Sequence, residues 1–424
     1  MSDTERRDLP QANILQRLQQ LRRVSRVLWV RVALILALSV FAALAAELLD
    51  PLIPQGPKDR FTAAATLPIL TILANSMLAV ATFSLGVMVS SHRTMAEQTT
   101  PRIHRLLMED TSTQTMLATF LGAFAFALSS IILFRAGYYS DSASVIVFAA
   151  TVLVVIAIIV SLVRWIHQLS RIGSMDYALE RAERTAKDTL HSLKRWPNLG
   201  GKALQKDDIP GTSNVITAPT SGFLQRLEMQ NLQDCTAETG GQVFVQIMPG
   251  DLILRGQAMA YVTGDADAQN IAKCFVIAAN RSPEQDPRYA IQAMRETASK
   301  ALSPGINDPG TAVEVVGRLE RLLWDGLSVE ADEDGPLYDR VFVKSIANST
   351  LIETAFRDIS RDGAAFVEVL IAVSNALDAL ASRDFADDAD AIDALRTALQ
   401  EHADHGLKTE NERSRFEAGI SQES

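Results

Sequence analysis

The sequence predicts an α+β membrane protein: a four-helix transmembrane bundle, then a cytoplasmic domain with a small β barrel or sandwich module and an α-helical part. Three observations predict it. Uncharged apolar runs crowd the stretch before Arg164, while most of the charge follows it. Lys and Arg are unevenly shared among the loops that join those runs. Downstream, short β-branched segments broken by glycine give way to stretches of helical periodicity.

Crossing about 30 Å of hydrocarbon takes a helix of about 20 apolar residues. Four segments meet that demand: 28–49, 67–90, 116–134 and 144–163. The first carries Arg31 and Glu47 near its ends, where both can reach the interface. The second and third hold no charged residue, and the fourth is rich in Val and Ile. Hydrophobic residues are 48% of the 424-residue chain, which suits a membrane part joined to a soluble part.

Orientation follows from the basic residues of the short loops. Arg6, Arg7, Arg17, Arg22, Arg23 and Arg26 precede the first span. Arg93, Arg102 and Arg105 lie between the second and third, and Arg164, Arg171, Arg181 and Arg184 follow the fourth. The other two loops hold only Lys58 and Arg60, then Arg135. This puts both termini and the whole C-terminal domain in the cytoplasm. The two cysteines, Cys235 and Cys274, form no C-x-x-C pair and suit the same reducing compartment. Residues 1–21 are polar and lack a signal-peptide core, so the first apolar helix is expected to stay as an anchor.

The expected organisation is a basic N-terminal segment at 1–27, the bundle at 28–166 and a helical connector at 167–210. A β module at 211–280, a helical domain at 281–407 and a disordered tail at 408–424 follow. Within the β module, Val215-Ile216-Thr217, Val243 to Ile247 and Leu252-Ile253-Leu254 read as strands, and Pro249-Gly250-Asp251 as a turn. Strand, Gly-Asp turn and strand resemble lipoyl- or biotinyl-type modules, which attach their cofactor to a hairpin lysine. Residues 214–262 contain no lysine, so no cofactor is expected. Asp286-Pro287 and Asp308-Pro309 each read as a helix start, with Asp as N-cap and Pro at the first helical position. Helices are expected from there, at 338–359, at 364–381 and at 389–403.

Two stretches carry a family resemblance. One is Thr100-Pro101-Arg102-Ile103-His104-Arg105-Leu106-Leu107, followed by Gln114 and Leu121-Gly122-Ala123-Phe124. The other is Ala301-Leu302-Ser303-Pro304-Gly305-Ile306-Asn307-Asp308-Pro309, followed by Thr311-Ala312. Together they resemble the bacterial domain-of-unknown-function family 2254 of predicted membrane proteins. The segment from Ser221-Gly222 to Gly250-Asp251 fits the same family; Gly310 departs from it, where a larger, often aromatic residue is expected. The resemblance implies the architecture and brings no assigned activity.

Candidate residues fall in three groups. Ser303, Asn307, Asp308 and Thr311 gather polar groups at a helix start, where free N–H groups can hold an anion or simply be capped. Arg102, His104 and Arg105 lie at the inner membrane surface, suited to lipid headgroups or to an interface with the soluble domain. Asn75 and Ser76 sit near mid-span as candidate pore-lining residues, or as hydrogen-bonding partners for neighbouring helices. His402 and His405 share a helix face but supply too few ligands for a metal. No P-loop, Gly-x-Ser-x-Gly, His-Glu-x-x-His or dinucleotide fingerprint occurs, and no catalytic residue is assigned. The net charge of −10 speaks against nucleic-acid binding.

Three functional classes stay open. The first is a pore, transport-type or scaffolding homo-oligomer with a regulatory cytoplasmic domain. The second is a membrane-tethered sensor of an unknown small molecule or ion. The third is a membrane-bound enzyme without a recognisable motif.

Overall fold

A computed structural model describes residues 63–108, 111–169, 174–205, 208–237, 239–331, 335–383 and 389–421. Of the first apolar segment it describes Ala33, Ala37, Val40, Phe41 and Leu44, all helical and exposed. The rest of that segment, and the basic stretch 1–27, lie outside the described residues. The chain divides into two compact units, Met1–Gln98 with Leu107–Tyr177, and Thr99–Leu106 with Ala178–Ser424.

The first unit holds α1 (Ala63–Gln98), α3 (Thr111–Arg135) and α4 (Asp141–Leu169). Each contains a stretch long and apolar enough to cross a membrane: Ala64–Ala96, Thr115–Arg135 and Ala143–Leu169. Their outward faces are apolar as well. On α4 the residues Leu153, Ile156, Val163 and Ile166 are all more than half exposed. A water-soluble protein rarely shows so continuous an apolar surface, whereas a lipid-facing helix needs one. Inside, Leu70, Met77 and Ala81 of α1 share a core with Phe120, Ala123 and Ala127 of α3. Small residues on α3 are what allow this close approach. Gly137, at φ +67°, makes the turn that carries α3 back to α4.

The second unit is α/β. It takes in Thr99–Leu106, which forms most of α2 (Pro101–Met108), and α5 (Met175–Arg195) from Ala178 onward. Next come a 3₁₀ turn (Pro197–Gly200) and β1 (Gly201–Ala203), β2 (Asn214–Thr217), β3 (Gly222–Leu227) and α6 (Met229–Ala237). The chain continues through β4 (Val243–Val245), β5 (Leu252–Ile253), β6 (Ala258–Val262), α7 (Ala268–Lys273) and β7 (Phe275–Ala278). After them come α8 (Pro287–Ala301), α9 (Pro309–Leu327), β8 (Tyr338–Val343), α10 (Asn348–Asp362), α11 (Val367–Ala381), α12 (Ala389–Gly406) and α13 (Glu410–Ser421).

The strands form a five-stranded sheet of order β1-β8-β4-β6-β2 and a three-stranded sheet of order β5-β3-β7. β8 runs parallel to both β1 and β4, while β6 runs antiparallel to β4 and β2. Both sheets feed one core, in which Val243, Val245, Met259, Val262, Val341 and Val343 meet Leu224, Leu227 and Phe275. The helices pack in pairs, α8 on α9 and α10, and α11 on α9 and α13.

Two expected elements are different. Residues 338–343, expected to begin a helix, form β8. Val341 and Val343 point into the sheet core, and parallel partners on both sides satisfy its backbone. The sheet therefore draws strands from outside 211–280. The tail expected to lack order forms α13 over residues 410–421. Thr409 and Glu412 cap it reciprocally, with Thr409 N donating to Glu412 Oε2 at 3.0 Å and Glu412 N donating to Thr409 Oγ1 at 3.2 Å. Phe416, 2% exposed, anchors it.

Candidate functional site

A buried polar cluster in the α/β unit is centred on Asp286. Asp286 stands at the N-cap of α8, but its carboxylate makes no capping bond. Pro287 leaves the first helical position without an N–H to satisfy, which frees the side chain for other partners. Asp286 is fully buried and lies between two arginines. Oδ2 accepts from Arg281 Nε at 3.0 Å and from Arg281 Nη2, and Oδ1 accepts from Arg288 Nε at 3.3 Å. Arg288 Nη2 also donates to the Pro249 carbonyl at 2.8 Å and to Asp251 Oδ1 at 2.9 Å. Burial alone would pull the Arg288 guanidinium down, but the charges of Asp286 and Asp251 outweigh it and hold Arg288 above its ordinary value.

The backbone makes room for this pairing. Gly250 has φ +95°, and a Cβ there would lie 2.1 Å from Asp286 Oδ2. The Pro249-Gly250-Asp251 turn is thus held to the start of α8 by charge and by close approach. Both Asp286 oxygens are engaged, so the carboxylate is poorly placed to act as a base. The cluster behaves as a clamp between the β sheets and the helices.

The clamp continues to the segment that links α1 and α3. The Tyr289 ring, 1% exposed, has Arg281 at 5.9 Å and Arg102 at 5.6 Å from its centroid. Arg102 Nη1 pairs with Glu296 Oε1 on α8. Lys300 Nζ, near the end of α8, donates to the Thr99 carbonyl at 3.0 Å. Thr100 starts α2, with Ile103 N donating to Thr100 Oγ1 at 3.4 Å, and Ile103 and Leu106 are buried. Of the three basic candidates, Arg102 is therefore committed to α8, His104 is half-buried and Arg105 is exposed.

Ser303, Asn307, Asp308 and Thr311 do come together, in the turn between α8 and α9. Asp308 Oδ1 accepts from Thr311 N at 3.0 Å and Oδ2 from Thr311 Oγ1 at 2.6 Å. The hydroxyl and amide of Thr311 hold the Asp308 carboxyl below its ordinary value. Ser303 Oγ donates to the Lys300 carbonyl at 2.6 Å, and Asn307 takes a left-handed φ of +54°. The side chains of Ser303, Asp308 and Thr311 are thus engaged within the turn itself. The two sequence stretches that carry the resemblance meet at α8, one through Arg102 and Glu296, the other as its C-terminal continuation.

Comparison with known proteins agrees. Residues 25–379 match the family model described as "Predicted membrane protein (DUF2254)". The chain belongs to the DUF2254 family. An uncharacterised protein of Mycobacterium bovis is 24% identical over 296 residues, covering 66% of this chain and 55% of its own length. An uncharacterised protein of Mycobacterium tuberculosis H37Rv gives the same figures, 24% identity over 296 residues with 66% and 55% covered. The chain thus spans about half the length of the curated relatives it matches. No solved structure matches it.

In this DUF2254 chain the mid-span candidates separate. Ser76 Oγ donates to the Ile72 carbonyl at 2.7 Å, within its own helix. Asn75 is exposed on the other side, in line with Thr71 and Thr82, whose hydroxyls are also turned back onto α1. Cys235 and Cys274 are neighbours in the β-sheet core, and burial, with Cys235 alongside, pushes the Cys274 thiol up to about 12. Among the described residues no group of His, Cys, Asp and Glu is arranged to hold a metal ion.

Sequence reasoning missed the Asp286 clamp. It read Asp286 as a cap and Gly250 as a turn, and both are those things. Their partnership spans residues 249 to 288 and leaves no periodic trace. The one available signal was Arg281 and Arg288 placed on either side of an Asp-Pro helix start.

Proposed function

We propose that this DUF2254 protein is a homo-oligomer of the bacterial inner membrane, of pore, transport or scaffolding type, regulated by a cytoplasmic α/β unit. The observation that carries the reading is the engagement of Thr99–Leu106 with α8. This segment continues α1 at one end and leads to α3 at the other. An α/β unit that grips it has a covalent handle on two membrane helices. A simple anchor needs no such handle.

Two further features support the reading. The excess of Arg in alternate loops puts the linker, both termini and the α/β unit on the cytoplasmic side of four spans. The exposed Asn75 amide sits at mid-span, where an amide without a partner in hydrocarbon is costly. A second copy, or a water-filled path between copies, supplies that partner.

Reconstitution tests the proposal. Liposomes carrying the protein are expected to pass ions or small solutes, at a rate altered by Arg102→Glu, and the protein is expected to run as an oligomer in mild detergent. A monomer with no flux across a range of ions and osmotic shocks contradicts it.

A further inference from the structure

We propose that the outer face of the five-stranded sheet binds a free nucleotide, with its base stacked on Phe342 and its phosphates held by Lys202, Arg340 and Lys344. Every residue of this site lies within the α/β unit. The inference stands whether or not the chain forms a pore, and its test reads binding rather than flux.

Residues alternate between the two faces of a sheet along a strand, and residues paired across strands share a face. One face of the five-stranded sheet is the core, where Val243 and Val245 of β4, Ala260 and Val262 of β6, and Val341 and Val343 of β8 are buried. The alternate residues form the opposite face. There Lys202 pairs with Phe342, Phe342 with Phe244, Phe244 with Tyr261, and Tyr261 with Val215, a single row across all five strands. The short helices α6 and α7 pack on this sheet through Leu232 and Ile271, which belong to the core side. On the outer face Phe342 and Tyr261 are half-buried and Val215 is exposed.

Phe342 is a prepared stacking surface. The buried Phe244 ring stacks against it, with centroids 4.9 Å and planes 23° apart, and fixes its orientation. On the side of β1, an edge strand, the ring is covered by a flexible stem alone, with Lys202 Nζ 5.5 Å from the centroid. Arg340 and Lys344 alternate with Phe342 and so flank it on the same face, Lys344 just past the end of β8. Arg340 Nη1 donates to the Gly241 carbonyl at 3.3 Å, and among the described residues none of the three cations forms an ion pair. The carboxylate beside them in sequence, Asp339, alternates to the other side and accepts from Gln233 Nε2 at 2.6 Å. Three unpaired cations around one aromatic ring fit an anion that carries a flat ring of its own. A base that displaces Lys202 gains more by stacking than an exposed cation–π contact loses, and it frees the ammonium for a phosphate. The net charge of −10 repels a long polyanion, so the fitting occupant is a single nucleotide and not a strand.

The test is calorimetric titration of ATP into the full-length protein in lipid nanodiscs. Saturable binding is expected. Phe342→Leu keeps an apolar side chain without the ring and should weaken binding about tenfold. Lys202→Gln combined with Lys344→Gln should weaken it by a similar factor, and steeply less at high salt. Adenosine and inorganic triphosphate, each carrying half of the recognised chemistry, should both bind about tenfold more weakly than ATP or worse. If Phe342→Leu fails to fold, the lysine pair decides, because neither lysine belongs to the core. No saturable binding at millimolar ATP overturns the proposal, as does binding left unchanged in either folded variant. Inorganic triphosphate bound as tightly as ATP would show a bare anion site, and an oligothymidylate bound more tightly than ATP would show a strand-binding surface; either result overturns it.

Discussion

The α-carbon of Gly250 lies directly against the Asp286 carboxylate, so that an added methyl group would come 2.1 Å from Oδ2. Gly250→Ala must therefore push the buried carboxylate off its arginines, besides straining a backbone at φ +95°. The expected loss is about 3 kcal/mol or more, the range for disrupting a buried ion pair. Gly256→Ala is the control: its φ is +85° but nothing lies within 4 Å of the added atom. That variant should lose only the left-handed penalty of about 1–2 kcal/mol. Thermal unfolding of the two variants side by side checks the difference.

Asp286→Ala removes the anion that Arg281 and Arg288 share. Both guanidiniums are mostly buried, so the loss leaves positive charge facing positive charge. We expect about 3–5 kcal/mol of destabilisation in chemical unfolding. Arg288→Ala should cost less, because Arg281 still pairs with Asp286 and Asp251 remains partly solvated.

Asp308 gives a pH-dependent prediction. Its folded pKa lies below the ordinary 3.8, through its bonds with Thr311. The stabilisation is therefore complete above the unfolded value and is lost as pH falls below about 4, through the folded pKa. Asp308→Ala should cost about 1 kcal/mol at neutral pH, the usual value of an N-cap. Asp308→Asn keeps a cap but not the charge, so its deficit should be smaller and should vanish at acid pH. Unfolding free energies measured from pH 7 down to pH 3 distinguish the two.

How much of this was readable in advance depends on the range of the interactions. The spans at α1, α3 and α4 and the helix starts at Pro287 and Pro309 were legible, because apolar runs and Asp-Pro caps are local signals. β8 was not, because Tyr338–Val343 becomes a strand through parallel partners more than 90 residues away at β4 and far earlier at β1. α13 was missed although its signal was local: Thr409 and Glu412 form a capping box, and Phe416 fills a buried position. At the candidate site, the polar turn 303–308 was recognised as a unit. The use of Arg102 was not, because nothing in the linker sequence names Glu296 and Tyr289 as its partners.

The two cysteines should react very differently. Cys274 is buried and its thiol is pushed up to about 12, so it stays protonated and shielded at neutral pH. Cys235 is half-exposed. Labelling with a disulfide reagent should modify Cys235 in the native protein and Cys274 only on unfolding. Rapid native labelling of Cys274 would contradict the packing described.

The central claim is that the α/β unit holds the α1–α3 linker through Arg102. Hydrogen–deuterium exchange of residues 99–108, followed in vesicles, tests it most directly. In the wild type this segment should be protected. Arg102→Glu sets two carboxylates against each other and removes a cation from Tyr289, and should speed exchange by about tenfold, equivalent to about 1.4 kcal/mol. Adding Glu296→Arg restores an opposite-charge pair and should recover much of the protection. Exchange in the Arg102→Glu variant as slow as in the wild type, or a swap that recovers nothing, would contradict the account.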